Sequence, residues 1–155
     1  LAGKLLPQTL IWCVVGWCCQ ALMYSVGGFI LRCPLWQVML PMALFVLACQ
    51  GLGVLIACVI PNPRFGLSVA ALFSVLGFSL AGFSFPCNHM YGAMDIFSYL
   101  YPVRYFFLAH VNQALNGIPL YYSRWYLLVL ALMPLAGFVF MPRLKKAVLK
   151  GIYVP

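Results

Sequence analysis

Glutamate is absent from this chain and aspartate occurs once, as Asp95. Paired-carboxylate acid–base chemistry and carboxylate-rich metal sites therefore lack their donors. Charge of either sign is scarce, at 6% of the 155 residues against roughly 25% in an ordinary soluble domain. The phosphate-cradling pattern G-x-x-x-x-G-K-[ST] is missing, since Gly3-Lys4 lacks the rest of it, and so is H-E-x-x-H. The seven cysteines form no C-x-x-C pair; Cys13, Cys18, Cys19, Cys49 and Cys58 fall inside apolar runs and read as small buried hydrophobes.

What is present is apolar. Hydrophobic residues make up 66% of the chain and the mean hydropathy is +1.05, the composition of an integral membrane protein. A net charge of +8 would point a soluble chain toward nucleic acid, but here the basic residues sit in the gaps between apolar runs, where they orient helices. No nucleic-acid partner is expected; the lipid bilayer is. The chain opens at Leu1 rather than Met, so it reads as the C-terminal portion of a longer protein, and its first run is too long for the core of a signal peptide.

The runs predict an all-α, polytopic membrane fold with four transmembrane helices. No charge occurs between Lys4 and Arg32, so the first span is placed at about 9–31, with Gln20 as its strongly polar side chain. A tight Cys33-Pro34 connection leads into the second, about 36–60, which Pro61-Asn62-Pro63-Arg64 ends. The third, about 65–83, carries Gly66, Ala70, Ser74, Gly77 and Ala81 at helical spacing, a small-residue seam suited to close packing against another helix. The fourth, about 125–141, follows an aromatic belt of Tyr121, Tyr122, Trp125 and Tyr126 and precedes a basic tail.

Between the third and fourth spans lies an interrupted stretch, 84–122, read as an outward-facing re-entrant region. Pro86 stops a helix, short aromatic pieces follow, and 105–122 carries His110, Asn112, Gln113 and Asn116, polar groups costly against lipid. Non-helical backbone at membrane depth persists only where protein or a water-filled cavity satisfies its amides, so such a break marks a passage. Asp95 and Arg104 flank Tyr99-Leu-Tyr-Pro102 and either pair across the mouth or stay separately hydrated at headgroup level. Four spans put Lys4, Arg64, Arg143, Lys145, Lys146 and Lys150 on one side and Arg32, Arg104 and Arg124 on the other, which places both ends in the cytoplasm. Cys33 and Cys87 then lie near helix ends on the outer side, the one pair placed for a disulfide.

Two other functions compete with a transport passage. Gly77-Phe-Ser79 and Gly82-Phe-Ser84 are each G-x-S, and with His89 or His110 as base they allow an intramembrane serine hydrolase, although neither serine is followed by Gly. A passive channel or anchor fits the apolar runs alone. Cys87, His89 and His110 are spaced too loosely for a convincing metal site, so no metal and no catalytic residue is assigned.

Leu80-Ala-Gly-Phe-Ser-Phe-Pro-Cys-Asn-His-Met90, followed by Phe97-Ser-Tyr-Leu-Tyr-Pro102, resembles the hallmark of the permease subunits of type 2 ABC exporters: G-x-x-F-P, a Met a few residues on, then S-Y-x-x-P. The family usually has Pro after that Met, where this chain has Tyr91-Gly92. The resemblance implies a transport subunit of the bacterial inner membrane that pairs with a second permease subunit and with an ABC ATP-binding subunit, which holds the ATP and Mg; this chain itself binds no cofactor. It further implies an outer gate or substrate path built by Phe83, Phe85, Pro86, Met90, Tyr99, Pro102 and Arg104, with drugs or other amphiphiles as cargo ahead of polysaccharides or lipids, among which the residues themselves do not choose.

Overall fold

The computed structural model describes residues 2–60, 62–82, 90–140 and 142; all of its regular structure is helical, with no strand among the described residues. In order, the elements are α1 (Ala2–Ser25), α2 (Leu35–Val59), α3 (Pro63–Ser79), α4 (Gly92–Ser98), α5 (Pro102–His110), which continues as a π-helical turn over Val111–Leu115, and α6 (Leu120–Val139). An uncharged run satisfies its own amides only as a helix once water is gone, which accounts for the three long ones. Punctuation sets the boundaries. Asn62 caps α3 by accepting from the Arg64 amide at 3.1 Å, Pro63 and Pro102 sit in first turns where their missing N–H costs nothing, and Pro119 precedes α6.

Among the described residues, three helices are long and apolar enough to cross a membrane: Leu5–Ser25, Leu35–Val59 and Leu120–Val139. The third expected span differs. α3 has 17 residues, about 26 Å at 1.5 Å per residue, short of the roughly 30 Å hydrocarbon layer. It ends at Ser79 rather than near Phe83, and Gly82, at φ +98°, occupies a conformation that L side chains rarely adopt. The helix thus stops ahead of Pro86, which lies outside the described residues. The first helix is likewise displaced from 9–31: it starts at Ala2 and closes at Ser25, and 26–34 has no regular structure beyond a turn and two bends, with Gly28 at φ +67°. α6 begins at Leu120, five residues ahead of the expected boundary, so Tyr121, Tyr122, Trp125 and Tyr126 lie on its first two turns.

α2 is the spine. It touches α1, α3, α5, the π-helical turn and, most extensively, α6. α1 runs antiparallel to it, as the bond from Trp17 Nε1 to the Met39 carbonyl (3.0 Å) and that from Thr9 Oγ1 to Gln50 Oε1 (2.7 Å) require. α6 runs parallel to it, since Ala48 packs with Leu130, Gly51 meets Pro134 and Cys58 Sγ donates to the Phe140 carbonyl at 3.4 Å. Arg64 therefore lies at the end where α2 finishes, while Arg32 and Arg124 lie at the other. There the Arg32 amide donates to the Ala114 carbonyl at 3.2 Å, and Gly117, at φ +63°, backs against the Arg32 side chain.

The radial pattern is that of a membrane protein. Leu10, Ile11, Leu67, Val75, Leu128 and Leu132 face outward, whereas Gln20, Ser98, Arg104, Gln113 and Ser123 are buried. Lipid supplies no hydrophobic drive between helices, so close contact must hold them. It is closest at Gly51 and Gly137: an added methyl at Gly137 would overlap the Gly51 carbonyl, and one at Gly51 would overlap the Pro134 backbone. Gly53, two residues on, faces open space. Gly137→Ala is expected to cost about 3 kcal/mol, because backbone rather than a flexible side chain blocks the methyl. Gly53→Ala is expected to be neutral or to stabilise by up to about 1 kcal/mol. Unfolding in mixed detergent micelles, followed by circular dichroism, measures both.

Candidate gate at the re-entrant helices

α4 and α5 form a short helical hairpin between α3 and α6, and one guanidinium ties them together. Arg104, on the first turn of α5, is 5% exposed. Its Nη1 lies 2.7 Å from Asp95 Oδ1 and also donates to the Asp95 carbonyl at 3.4 Å and to Ser98 Oγ. Ser98 Oγ in turn donates to the Asp95 carbonyl at 2.6 Å. The guanidinium lies 4.3 Å from the centre of the Tyr99 ring, a cation–π contact, and the Tyr105 hydroxyl donates to the Tyr99 carbonyl at 3.0 Å. Of the two alternatives open in the sequence, pairing is the one formed. Spacing explains it: Asp95 and Ser98 are three apart on α4, hence on one face, and the turn at Tyr99–Tyr101 brings the first turn of α5 back over that face.

The turn also delivers Tyr101, 1% exposed, into α3. Its ring fills the notch left by Gly77, where a Cβ would come within 2.7 Å of Cδ1, and lies 4.4 Å from the Phe73 ring centroid. The small-residue seam thus has two parts. Gly77 and Ala81 are buried, with Gly77 under the Tyr101 ring, whereas Ala70 and Ser74 line a cavity of about 300 Å³ between α2, α3 and α5, and Gly66 faces Ile60. The far end of α5 reaches α1: the Tyr24 hydroxyl and His110 Nε2 share a hydrogen bond of 2.8 Å, and burial pushes the His110 imidazole below its usual pKa, favouring the neutral ring.

Of the gate residues named from sequence, Tyr99, Pro102 and Arg104 come together here, with Pro102 opening α5; Met90 is half-buried ahead of α4. Phe83, Phe85 and Pro86 lie outside the described residues, as do Ser84, Cys87, His89 and the basic tail. Ser79 Oγ donates to the Val75 carbonyl at 3.1 Å and His110 faces Tyr24, so neither is arranged as half of a nucleophile–base pair. Sequence reasoning missed Ser98, Tyr101 and Tyr24. Ser98 alone carried a signal, the i, i+3 spacing from Asp95.

Removing one partner of a buried ion pair strands the other. Asp95→Asn is expected to destabilise the folded protein by about 3 kcal/mol, the low end for such pairs because the Asp95 side chain keeps 32% of its exposure. The double variant Asp95→Asn/Arg104→Gln is expected to recover most of that loss. A double-mutant cycle on detergent unfolding measures the coupling, and additive losses would show that the pair contributes nothing.

The profile of the ABC-2 type transporter family matches residues 3–112, from the start of α1 into the π-helical turn, and so includes α4, α5 and the Arg104 pair. ABC transporter G family member 1 of Dictyostelium discoideum is 32% identical over 93 residues, which make up 60% of this chain and 12% of that protein. The chain thus matches a small fraction of that relative's length. No solved structure matches significantly. With apolar helices throughout and the family profile covering most of its length, the chain belongs to the ABC-2 type transporter membrane family.

Proposed function

We propose that this chain is the permease subunit of an ATP-driven export system, forming the substrate path while a separate ATP-binding subunit hydrolyses ATP. Under this reading α3 is the third of four crossing helices. Both ends of the segment face the cytoplasm of a bacterial cell, and a second permease subunit completes the path. The observation that carries the proposal is the hairpin of α4 and α5, held by a buried Arg104–Asp95 pair between two apolar helices. A static anchor has no use for a buried ion pair in an interrupted segment, whereas a passage needs irregular backbone at depth and groups that keep it ordered.

The mechanism follows from what the residues offer. The hairpin presents aromatic and apolar surface, with Phe97, Tyr99 and Leu100 all exposed. A mouth lined this way closes without water and needs no chemistry on its own side. ATP turnover on the partner need only shift the population between two packings of the helices. Asp95, Ser98 and Arg104 keep α4 and α5 one body through that shift, so the hairpin moves as a unit. Between residues 90 and 122 the charged side chains are the paired Asp95 and Arg104, which fits cargo that is amphiphilic rather than strongly ionic.

The test uses the intact protein with its neighbouring subunits, reconstituted in liposomes. ATP hydrolysis by a co-purifying ATP-binding subunit is expected to depend on this chain and to drive accumulation of a fluorescent amphiphile on one side. Tyr99→Ala, which enlarges the mouth, is expected to uncouple the two, leaving hydrolysis within about twofold while transport falls roughly tenfold or more, a loss of about 1.4 kcal/mol in coupling. Purification without any ATPase, or hydrolysis indifferent to this chain, would leave only the anchor reading.

A further inference from the structure

A second feature lies between α1 and α2, next to the cavity at the Gly77 seam, with which it shares Phe45, Cys49 and Gly53. A cavity of about 950 Å³ runs between α1 and α2 and is capped by Phe106 and His110 of α5. On α1 its wall extends from Leu5 to Met23, about 27 Å at 1.5 Å per residue, nearly the hydrocarbon thickness. The volume is at the upper end of the range for sites that hold small organic molecules. Its middle is apolar, formed by Trp12, Val15, Met42, Phe45 and Val54, and among the described residues no Asp, Glu, Lys or Arg lines it. Polar groups stand near its two ends. Toward one, Gln50 Oε1 accepts from Thr9, while Gln50 Nε2 has no partner among the described residues; toward the other, Gln20 and His110 both line the wall, and Tyr24, which bonds His110, is one turn along α1 from Gln20.

The Gln20–His110 end is incomplete. Gln20 is 8% exposed, and its Oε1 has no hydrogen-bond partner among the described residues; His110 Nδ1 has none either. A buried amide oxygen without a partner costs about 1–3 kcal/mol, and in lipid no water is at hand to relieve it. A hydroxyl group can donate to Gln20 and also accept from His110, whereas a carboxylate can only accept and would leave the Gln20 oxygen unpaired. We propose that this cavity binds an uncharged, elongated, hydroxyl-bearing amphiphile drawn from the bilayer, its head between Gln20 and His110 and its chain along Val15, Met42 and Phe45. The site is separate from the gate, and the proposal does not rest on export.

The experiment takes the full-length protein in phosphatidylcholine vesicles with a trace of diazirine-tagged monoacylglycerol, followed by photolysis and peptide mapping. Labelling is expected on residues 15–23 of α1 and 42–54 of α2, and it should saturate and be competed by untagged monoacylglycerol. Gln20→Leu is expected to weaken that competition about fivefold. Gly53→Phe, at a wall position where an added Cβ meets nothing, is expected to abolish it by filling the cavity. The matching tagged fatty acid should label less. Label that matches the outward-facing Leu67 and Leu128 and does not saturate in wild-type protein would overturn the proposal, as would equal competition by the fatty acid. Unlabelled cavity walls would show the space to be covered by protein and would overturn it too. None of these readouts needs ATP, so they stand or fall apart from the transport assay.

Discussion

A guanidinium taken out of water must have a partner, and in this chain only one carboxylate side chain exists to supply it. That requirement shapes the interrupted segment. Pairing Arg104 with Asp95 across nine residues obliges the chain to turn between Ser98 and Pro102, which sets α5 back against α4. The turn throws Tyr101 into α3, where only the missing side chain of Gly77 makes room for its ring. One electrostatic demand thus becomes a steric fit between elements that are more than twenty residues apart in sequence.

The scaffold around that hairpin is unequal on its different sides. α2 and α6 meet backbone to backbone through Gly51, Pro134 and Gly137, a contact with no slack. On its α1 and α3 sides α2 borders cavities of about 950 and 300 Å³. Closely packed helices move as a body, and seams with space beside them are where bodies shift. For a transporter this arrangement provides a firm pair, α2 with α6, and two more loosely seated neighbours. The hydrogen bond between Tyr24 and His110 then links α1 to the far end of the hairpin, so a shift of α1 reaches the hairpin.

Much of this was legible in the residues, and what was not has identifiable causes. The interrupted stretch before the last helix showed itself through Pro, Gly and polar residues clustered between apolar runs, and the structure resolves its described part into short helices. The Asp95–Arg104 pair stayed open, because pairing and separate hydration cost nearly the same at an exposed site and burial alone decides between them. The small-residue seam was visible at helical spacing, but spacing names a face and not its occupant: the buried part takes an aromatic ring from a turn, while the tightest helix contact uses Gly137, a lone glycine with no repeat to mark it. The length of α3 was not marked in the sequence: the helix ends at Ser79, capped by Leu80, ahead of the proline that looked like the stop.

Class and cover were decided by the linear order of residues: runs without charge must become helices in lipid, since nothing else satisfies their backbone there. Asn62-Pro63 and Pro102 likewise set helix starts locally. Everything that depends on who meets whom was left to the tertiary arrangement: the parallel course of α2 and α6, the ring in the Gly77 notch, the partner of Arg104, and the cavity with Gln20 at its end. These are distances between segments far apart in the chain, and no local pattern encodes a distance across space.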